Sequence, residues 1–394
     1  MLDDEDAEPK ALPFALLDEI TNSFSKELEI GRGGFAVVYR GIVGTGTVAV
    51  KKLSSACIHE TEFQREVECL INARHRNIVR FLGYCADTQG TMQRFNRRFV
   101  MADLQQRLLC FEYVPNGSLC DLITDPPAPP CRAAGGGEGA TAADGRDPAL
   151  AAAPRRRGRT EMVSLLVHVI ADTTQVHLAT VAVAMPVAGG RRGASEGGSR
   201  TLSFICVGRG GRARKKRNRY RIIKGVCEGL NYLHKNRIVH LDLKPANILI
   251  DDNMEPKIAD FGLSRCFDEG ESMVMRTKVA GTLGYMPPEY DSRAVTRLFD
   301  IYSLGVIILE IMTGRRGYHA IEDVLESWRN RLEETPEDTE LEQIRVCANI
   351  GKECTKNNPE KRPRSTQDII DRLNKTESDD ESSVEQVYKN HKIM

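Results

Sequence analysis

Two short segments decide how this sequence folds. They read Ile238-Val239-His240-Leu241-Asp242-Leu243-Lys244-Pro245-Ala246-Asn247-Ile248-Leu249 and, after ten further residues, Asp260-Phe261-Gly262. Between them, apolar residues 248–250, the polar turn 251–253 and residues 256–258 predict two short strands joined by a turn. Such a hairpin would bring Asn247 beside Asp260. An ordinary strand-turn-strand is the alternative, because a lone Asp-Phe-Gly tripeptide arises by chance.

The two segments together resemble the catalytic and metal-binding core of a protein kinase, with eight matching positions within 25 residues. The resemblance implies that the Asp242 carboxylate accepts the proton of an incoming hydroxyl and that Lys244 neutralises the moving phosphoryl group. It also implies that Asn247 and Asp260 hold Mg²⁺ and that Leu249 contacts the nucleotide.

A glycine-rich stretch near the N-terminus reads Ile30-Gly31-Arg32-Gly33-Gly34-Phe35-Ala36-Val37-Val38-Tyr39. Apolar residues on either side of a glycine pair predict a hairpin whose tip can approach a polyphosphate, because glycine has no side chain to block it. Ala36 stands where the kinase pattern has a third glycine, so an ordinary hairpin stays open as the alternative. The resemblance assigns nucleotide contacts to Ile30, Gly31, Gly33 and Val38.

The next strand is expected at Thr47-Val48-Ala49-Val50-Lys51, where Ala49 would line the nucleotide site and Lys51 would grip the α- and β-phosphates. Lys52 follows directly, so a solvated surface pair is the other interpretation, but the preceding Val-Ala-Val assigns the inward position to Lys51. Glu66 would pair with Lys51 from a helix predicted by the spacing of Phe63, Val67, Leu70 and Ile71.

Residues 75–81 and 107–114 are also predicted to form strands. By resemblance, the second supplies the wall beside the adenine. Phe111 would act there as gatekeeper, and the backbone of Glu112 and Val114 would form the hydrogen-bonding hinge.

The whole pattern resembles the plant receptor-like kinases, relatives of the Pelle and interleukin-receptor-associated kinases, over about residues 20–125 and 220–373. This implies an α+β, two-lobed protein kinase fold with a β-rich N-lobe, an α-helical C-lobe and ATP between them. ATP and Mg²⁺ would be the cofactors, and proteins the substrates. Lys244 with Gly281-Thr282 resembles the serine/threonine type more than the tyrosine type, and Thr282 would help position the substrate.

Residues 126–219 interrupt the kinase pattern. Of these 94 residues, 52 are Ala, Gly, Arg or Pro, and one is aromatic, which leaves too little large apolar surface to offset the entropy of ordering. We therefore expect a long disordered insert, and we hypothesise that it is translated non-coding sequence such as a retained intron. A membrane span over residues 162–188 is disfavoured, because Asp172 and other polar residues occupy its middle.

These features predict five regions. They are an N-terminal lead-in at 1–23, of which 1–13 should be disordered, an N-lobe with hinge and first C-lobe helix at 24–125, the insert at 126–219, the C-lobe at 220–373 and an acidic disordered tail at 374–394.

Composition adds limits on location and partners. The chain carries 55 basic and 55 acidic residues, so no global field favours nucleic acid, although the insert has a net charge of +10 and the rest −10. Its eleven scattered cysteines predict neither a disulfide framework nor a zinc site. The acidic N-terminus lacks a signal peptide pattern. We expect a cytoplasmic protein without ectodomain or membrane span, brought to the plasma membrane through a partner such as an upstream receptor kinase.

The segment from Asp260 to Glu289 resembles a kinase activation segment. Glu289 would pair with Arg362, and Asp300 would brace the catalytic-loop backbone from a buried helix. Leu241 stands where most kinases carry the arginine that pairs with a phosphorylated activation segment. We therefore predict that phosphorylation of Ser272 or Thr277 is not the on-switch. In plant receptor-like kinases, this non-arginine type is often associated with innate immunity.

The favoured hypothesis is an active Mg²⁺-ATP-dependent protein serine/threonine kinase in receptor-linked defence signalling, because each group that transfer needs is present. The alternative is a pseudokinase or scaffold that binds nucleotide and partners, which Ala36, Leu241 and the insert favour. A third hypothesis is nucleic-acid binding through the basic cluster 212–219, but a solvated charge run explains that cluster better.

Overall fold

The computed structural model describes residues 7–54, 60–95, 98–123, 210–275, 279–315, 321–331 and 338–376. The predictions of disorder for the insert and the acidic tail therefore fall almost wholly outside the described residues. The same holds for residues 162–188, considered above as a membrane span, and for Thr277.

The N-terminal lobe is built mainly of strands. They are β1 (Lys10–Ala11), β2 (Glu29–Arg32), β3 (Ala36–Val43), β4 (Gly46–Leu53), β5 (Phe81–Cys85), β6 (Thr88–Phe95), β7 (Arg98–Gln105) and β8 (Leu108–Glu112), with helices α1 (Phe14–Ile20) and α2 (Glu60–Ile71). Six strands form one sheet in the order β1-β5-β8-β4-β3-β2. Val48 and Val50 of β4 are fully buried, because alternate residues of a strand face the same side.

The N-terminal segment is more ordered than expected. Lys10 and Ala11 were placed in a disordered lead-in, but they form β1, which runs parallel to β5 at Gly83 and Tyr84. A Cβ on Gly83 would stand 2.2 Å from the carbonyl oxygen of Lys10, so only glycine permits this close approach. Leu12 is buried directly after the strand. This prediction was wrong because backbone pairing and a buried leucine hold the segment.

Strands β6 and β7 form a separate antiparallel hairpin that the sequence analysis did not predict. Met92 and Met101 are register partners on it, and Phe99 is nearby on β7. All three side chains are exposed.

The strand predicted at residues 75–81 is wrong for most of its length, since β5 begins at Phe81. The N–H of Asn77 donates to the His75 ring at 3.1 Å, and the N–H of Ile78 donates to the His75 carbonyl at 2.9 Å. These local bonds turn the chain and compete with an extended ladder. Ile78 then makes one isolated bridge to Ile258.

The C-terminal lobe is mainly helical. Its elements are α3 (Leu119–Ile123), α4 (Gly210–Lys235), β9 (Ile238–Val239), β10 (Ile248–Ile250), β11 (Pro256–Ile258), β12 (Arg265–Cys266), β13 (Val274–Met275), β14 (Ala294–Val295), α5 (Leu298–Thr313), α6 (Ile321–Arg331) and α7 (Asp338–Cys354). Residues 366–376 form a last helix. The helix expected from Tyr220 starts ten residues earlier, at Gly210, because Arg, Lys and Ala favour helix.

Two predictions about the C-terminal lobe are confirmed. Helix α5 is the buried helix that was expected, and Ile307, Ile308 and Ile311 on it are almost completely buried. The Arg362 guanidinium forms a two-bond ion pair with Glu289, with N–O distances of 2.5 and 2.7 Å. This pair ties the end of the activation segment to the body of the lobe.

Candidate active site

The Lys51 ammonium contacts two carboxylates from different parts of the chain. Its Nζ lies 2.7 Å from Oε1 of Glu66 on α2 and 2.8 Å from Oδ1 of Asp260, which follows β11. The ion pair predicted between Lys51 and Glu66 is therefore confirmed. The neighbouring Lys52 has a different environment, because its Nζ lies 3.7 Å from the centre of the Phe24 ring. The position that faces the carboxylates thus belongs to Lys51, as predicted, on the face of β4 that it shares with Ala49.

The electrostatic interactions among Lys51, Glu66 and Asp260 stabilise the charged forms of Lys51 and Asp260. The Lys51 ammonium holds the pKa of Asp260 at about 2, well below its ordinary range. Burial alone would lower the pKa of Lys51, but the charges of Asp260 and Glu66 outweigh burial, and the net shift is upward. Burial raises the pKa of Glu66, and the Lys51 charge opposes that rise. At neutral pH the site therefore holds a fixed cation beside a fixed anion.

Both carboxylate oxygens of Asp242 accept hydrogen bonds. Oδ2 accepts from Nζ of Lys244 at 2.7 Å, and Oδ1 accepts from the Thr282 hydroxyl at 2.6 Å. The Thr282 oxygen in turn accepts from Nζ of Lys244 at 2.8 Å, which closes a triangle of three side chains. Asn247 Nδ2 donates to Oδ2 of Asp242 at 3.1 Å and to its backbone carbonyl at 2.9 Å. The result is a nearly buried carboxylate with a cation at its side.

His240 supports the backbone of Asp242. Its Nδ1 accepts a 3.3 Å hydrogen bond from the Asp242 N–H, and its Nε2 lies 3.0 Å from the carbonyl oxygen of Ala259. A carbonyl can only accept, so Nε2 carries the proton and Nδ1 is the acceptor. The ring also packs edge-on against Phe261, with ring centres 5.2 Å apart. His240 therefore links the catalytic loop to the Asp-Phe-Gly segment.

Asp300 braces the same loop from helix α5, as predicted. Its buried carboxylate accepts from the backbone N–H of His240 and from that of Leu241, each at 2.8 Å. His234 Nε2 lies 3.0 Å from the same carboxylate. Leu241 has a φ of +66°, a left-handed conformation that is unfavourable for leucine. The Asp300 contact helps to hold the loop in this conformation.

The β10–β11 hairpin brings the two expected metal ligands together. Ile248 pairs with Ile258 in antiparallel register, as the sequence predicted. The N–H of Ala259 donates to the carbonyl of Asn247 at 2.8 Å, which places Asn247 next to the residue preceding Asp260.

Strands β2 and β3 form the predicted glycine-rich hairpin, which carries Ile30, Gly31, Gly33 and Val38. Its tip is closed by a 2.8 Å hydrogen bond from the N–H of Gly33 to the carbonyl of Ala36. A Cβ on Gly34 would meet nothing within 4 Å, and one on Gly33 would meet the Ala36 oxygen at 3.8 Å. The described chain therefore leaves room at the tip for a ligand.

The expected adenine wall lies on β4, β8 and β10. Ala49 and Phe111 are register partners across β4 and β8, and Glu112 ends β8. Val114 is buried two residues later, and Leu249 lies on β10. The gatekeeper role of Phe111 and the hinge role of Glu112 and Val114 stay predictions.

Comparison with known proteins identifies the family. A model of protein tyrosine and serine/threonine kinases matches residues 24–373. The chain belongs to this family of protein kinases. The two-lobed α+β fold that the resemblance implied is therefore confirmed.

Several Arabidopsis thaliana receptor-like kinases are similar to this kinase. Cysteine-rich receptor-like protein kinase 29 is 31% identical over 374 residues, which are 89% of this chain and 41% of that protein. Cysteine-rich receptor-like protein kinase 14 is 29% identical over 372 residues, 89% of this chain and 42% of that protein. The G-type lectin S-receptor-like serine/threonine-protein kinase SD1-13 is 29% identical over 381 residues, 90% of this chain and 34% of that protein.

The kinase thus spans less than half the length of these relatives. Within the part of the chain that the structure describes, every helix is too short or too polar to cross a membrane.

The family uses ATP and Mg²⁺, and the residues present fit both. Asp260 offers a carboxylate and Asn247 an amide oxygen, and oxygen ligands of this kind suit Mg²⁺. The Asn247 Nδ2 is already used in bonds to Asp242, which leaves its oxygen as the atom for a cation. Lys51 would supply positive charge for the phosphates, and the glycine tip leaves room for them. These residues would hold the nucleotide and the metal.

Sequence reasoning did not identify His240 and His234 as residues that support the site. The signal for His240 was its position two residues before Asp242, since a histidine ring can accept the N–H of residue i+2. Nothing local identified His234, because its partners Asp300 and Thr366 are distant in sequence.

Proposed function

We propose that this chain is a protein serine/threonine kinase that transfers the γ-phosphate of ATP to serine or threonine hydroxyls of protein substrates. The observation that carries the proposal is the triangle of Asp242, Lys244 and Thr282, in which a carboxylate, an ammonium and a hydroxyl lie within 2.8 Å of one another. Phosphoryl transfer needs a group that receives the hydroxyl proton and a cation that offsets the charge on the moving group.

In this mechanism Asp242 is the general base. A substrate hydroxyl would take the place of the Thr282 hydroxyl at Oδ1, donate its hydrogen bond there and pass its proton to the carboxylate. Lys244 keeps a positive charge 2.7 Å from the other carboxylate oxygen, where it can also face the phosphoryl oxygens. Thr282 would then position the substrate hydroxyl.

Lys51 and the two proposed metal ligands would hold the other reactant. Mg²⁺-ATP supplies the γ-phosphoryl group when it is bound. The Lys51 ammonium, fixed by Glu66 at 2.7 Å, would bind the α- and β-phosphates. Asn247 and Asp260 would hold the cation, and Asp260 stays ionised because Lys51 keeps its pKa at about 2. Catalysis is therefore mainly positioning and charge stabilisation by groups that the fold has already oriented.

The second candidate function is a pseudokinase or scaffold that binds nucleotide and partners. One observation favours it: both oxygens of Asp242 already accept hydrogen bonds from Lys244 and Thr282. Ala36 in place of the third glycine adds to this case. Transfer would require Thr282 to release Oδ1, whereas a scaffold would not.

A transfer assay separates the two candidates. Full-length kinase is incubated with Mg²⁺, γ-labelled ATP and a generic protein substrate, beside Asp242→Asn and the matched control Asp252→Asn, which changes an exposed aspartate in the β10–β11 turn. We expect transfer by the wild type and Asp252→Asn and its loss in Asp242→Asn. Phosphoamino acid analysis should show phosphoserine or phosphothreonine, and phosphotyrosine alone would refute the substrate class. Nucleotide binding without transfer in all three proteins would support the scaffold.

We also propose that the kinase works in receptor-linked defence signalling at the cytoplasmic side of the plasma membrane, with an upstream receptor kinase as partner. Support comes from the receptor-like kinases it resembles and from Leu241, the mark of the non-arginine type. Phosphorylation of the Asp242→Asn protein by a co-expressed receptor kinase would support this, and unmodified protein with every receptor tested would count against it.

The domain organisation proposed from the sequence places the insert 126–219 between two parts of one kinase domain. The family match runs across it, from residue 24 to 373, and α3 ends at Ile123 on its N-terminal side. Sequencing the transcript across codons 120–222 tests the retained-intron hypothesis. A major message that encodes the insert without interruption would rule that hypothesis out.

A further inference from the structure

Two cysteines that are distant in sequence meet beside the active site. The Sγ atoms of Cys69 and Cys266 lie 2.8 Å apart, although 197 positions separate them. Cys69 lies on α2, one helical turn after Glu66, and Cys266 lies on β12, which is paired with β9. The contact therefore joins the helix that carries the Lys51 partner to the start of the activation segment.

The two thiols differ in exposure. Cys69 is 1% exposed, whereas Cys266 lies at the surface. A small oxidant in solution can therefore reach Cys266 first, and the buried Cys69 sulfur lies next to it. This is the usual arrangement of a reactive cysteine and its resolving partner.

The hydrogen bond between the thiols gives them different acidities. Together with burial, it raises the pKa of Cys69, while the same bond lowers the pKa of Cys266. Arg265 next in the chain acts in the same direction on Cys266. The exposed sulfur is therefore the one that more readily becomes a thiolate, which is the nucleophilic form.

We propose that Cys69 and Cys266 form a reversible disulfide when the kinase meets a peroxide. The Cys266 thiolate attacks one peroxide oxygen, the O–O bond breaks, and Cys266 becomes a sulfenic acid as hydroxide leaves. The Cys69 sulfur then attacks the sulfenic sulfur, the S–O bond breaks, and water leaves with the Cys69 proton. In sum, two thiols and hydrogen peroxide give one disulfide and two waters, and a dithiol reductant reverses the change.

The bond would fix the site in the arrangement seen here. A disulfide needs its sulfurs at about 2.05 Å, so only a small approach from 2.8 Å is required. It would tie α2 to β12, with Glu66 one turn away in contact with Lys51. Oxidation should therefore hold the Lys51–Glu66 ion pair closed. The thiol chemistry does not depend on phosphoryl transfer, so it can be tested whether or not the proposed function is correct.

The first test maps the bond. Reduced full-length kinase is treated with about one equivalent of hydrogen peroxide, alkylated and digested without reductant, beside Cys266→Ser and the control Cys120→Ser, which removes another exposed cysteine. We expect a peptide linking Cys69 to Cys266 in the wild type and Cys120→Ser, absent in Cys266→Ser and lost after dithiothreitol. A dominant linkage between other cysteines, or Cys266 oxidised to sulfinic acid without a linkage, would overturn the proposal.

The second test measures thermal stability. A disulfide between Cys69 and Cys266 closes a long loop of chain, so it should raise the Tm of the oxidised wild type by roughly 5 to 10 °C. Dithiothreitol should reverse the rise. Cys69→Ala serves as a second variant in case Cys266→Ser folds poorly, and neither should respond to peroxide. An equal rise in these variants and in the wild type would mean that the bond between Cys69 and Cys266 is not its source.

Discussion

The backbone N–H of Leu241 donates a 2.8 Å hydrogen bond to Oδ1 of Asp300, a carboxylate that is completely buried. The other oxygen accepts from the N–H of His240, also at 2.8 Å. One side chain therefore holds two consecutive peptide groups immediately before Asp242. Helix α5 therefore positions Asp242 through the backbone that precedes it.

Replacing Asp300 by alanine should destabilise the fold and misplace Asp242. The N–H groups of His240 and Leu241 would lose their acceptor, and each unpaired buried donor costs about 1–3 kcal/mol. We expect denaturant unfolding to show a loss of about 3 kcal/mol or more in the free energy of unfolding. Asp300→Asn is the matched control, since its amide keeps one acceptor oxygen and should lose less. Equal stability of wild type and Asp300→Ala would contradict the bracing role.

Lys51 and its neighbour Lys52 provide a test of the proposal that Lys51 binds the phosphates of ATP. Lys51→Met removes the ammonium that contacts Glu66 and Asp260, so the rate of phosphoryl transfer should fall by about 100-fold or more. Lys52→Met removes a lysine that lies over the Phe24 ring and should leave the rate nearly unchanged. Steady-state transfer assays on both proteins measure the difference. Similar losses in the two variants would disprove the assignment of Lys51.

The Lys51–Asp260 pair should stabilise the fold less as the pH becomes acidic. Because the folded-state pKa of Asp260 is lowered to about 2 from an ordinary value of 3.8, its contribution is fully present above the ordinary value. The contribution is then lost as pH falls through the folded value. Urea unfolding from pH 5 to about pH 2 should therefore show the stability advantage of the wild type over Asp260→Asn shrinking with acidity.

Lys51→Met is the control for this pH dependence. Without the ammonium, the pKa of Asp260 should return toward its ordinary value, and the effect of Asp260→Asn should no longer vary in the same way with pH. A pH dependence identical in the two backgrounds would show that Lys51 is not its cause.

The activation segment should not need phosphorylation at the two sites singled out from the sequence. Leu241 offers no charge that could pair with a phosphate, and Ser272 is exposed. We therefore expect the double variant Ser272→Ala, Thr277→Ala to retain the transfer rate of the wild type, with Asp242→Asn as the inactive reference. A large loss in the double variant would show that a phosphate at one of these sites has a partner other than residue 241.

Local pattern was enough for much of the site. The pattern around Ala49 distinguished Lys51 from Lys52, because side-chain direction in a strand has a period of two residues and Lys51 shares its face with Ala49 rather than with Val48 and Val50. The turn after Ile250 likewise predicted the hairpin that brings Asn247 toward Asp260. These are contacts between near neighbours, so spacing along the chain determines them.

Other features escaped local pattern. Ile78 and Val79 favour a strand, yet the His75 ring and carbonyl accept hydrogen bonds from the N–H groups of Asn77 and Ile78, and these bonds turn the chain. The strand β1 was missed because two residues carry almost no periodic signal, and what holds them is the parallel partner β5.

By itself, the sequence determined the family, the two-lobed fold and the identity of the charged residues, because kinase chemistry requires particular groups at short spacings. Only the tertiary structure revealed two further contacts. The Thr282 hydroxyl meets Asp242 at 2.6 Å, and the Cys69 sulfur meets Cys266 at 2.8 Å, across long stretches of chain. Such contacts depend on how helix, sheet and activation segment pack together, and no local spacing specifies that packing.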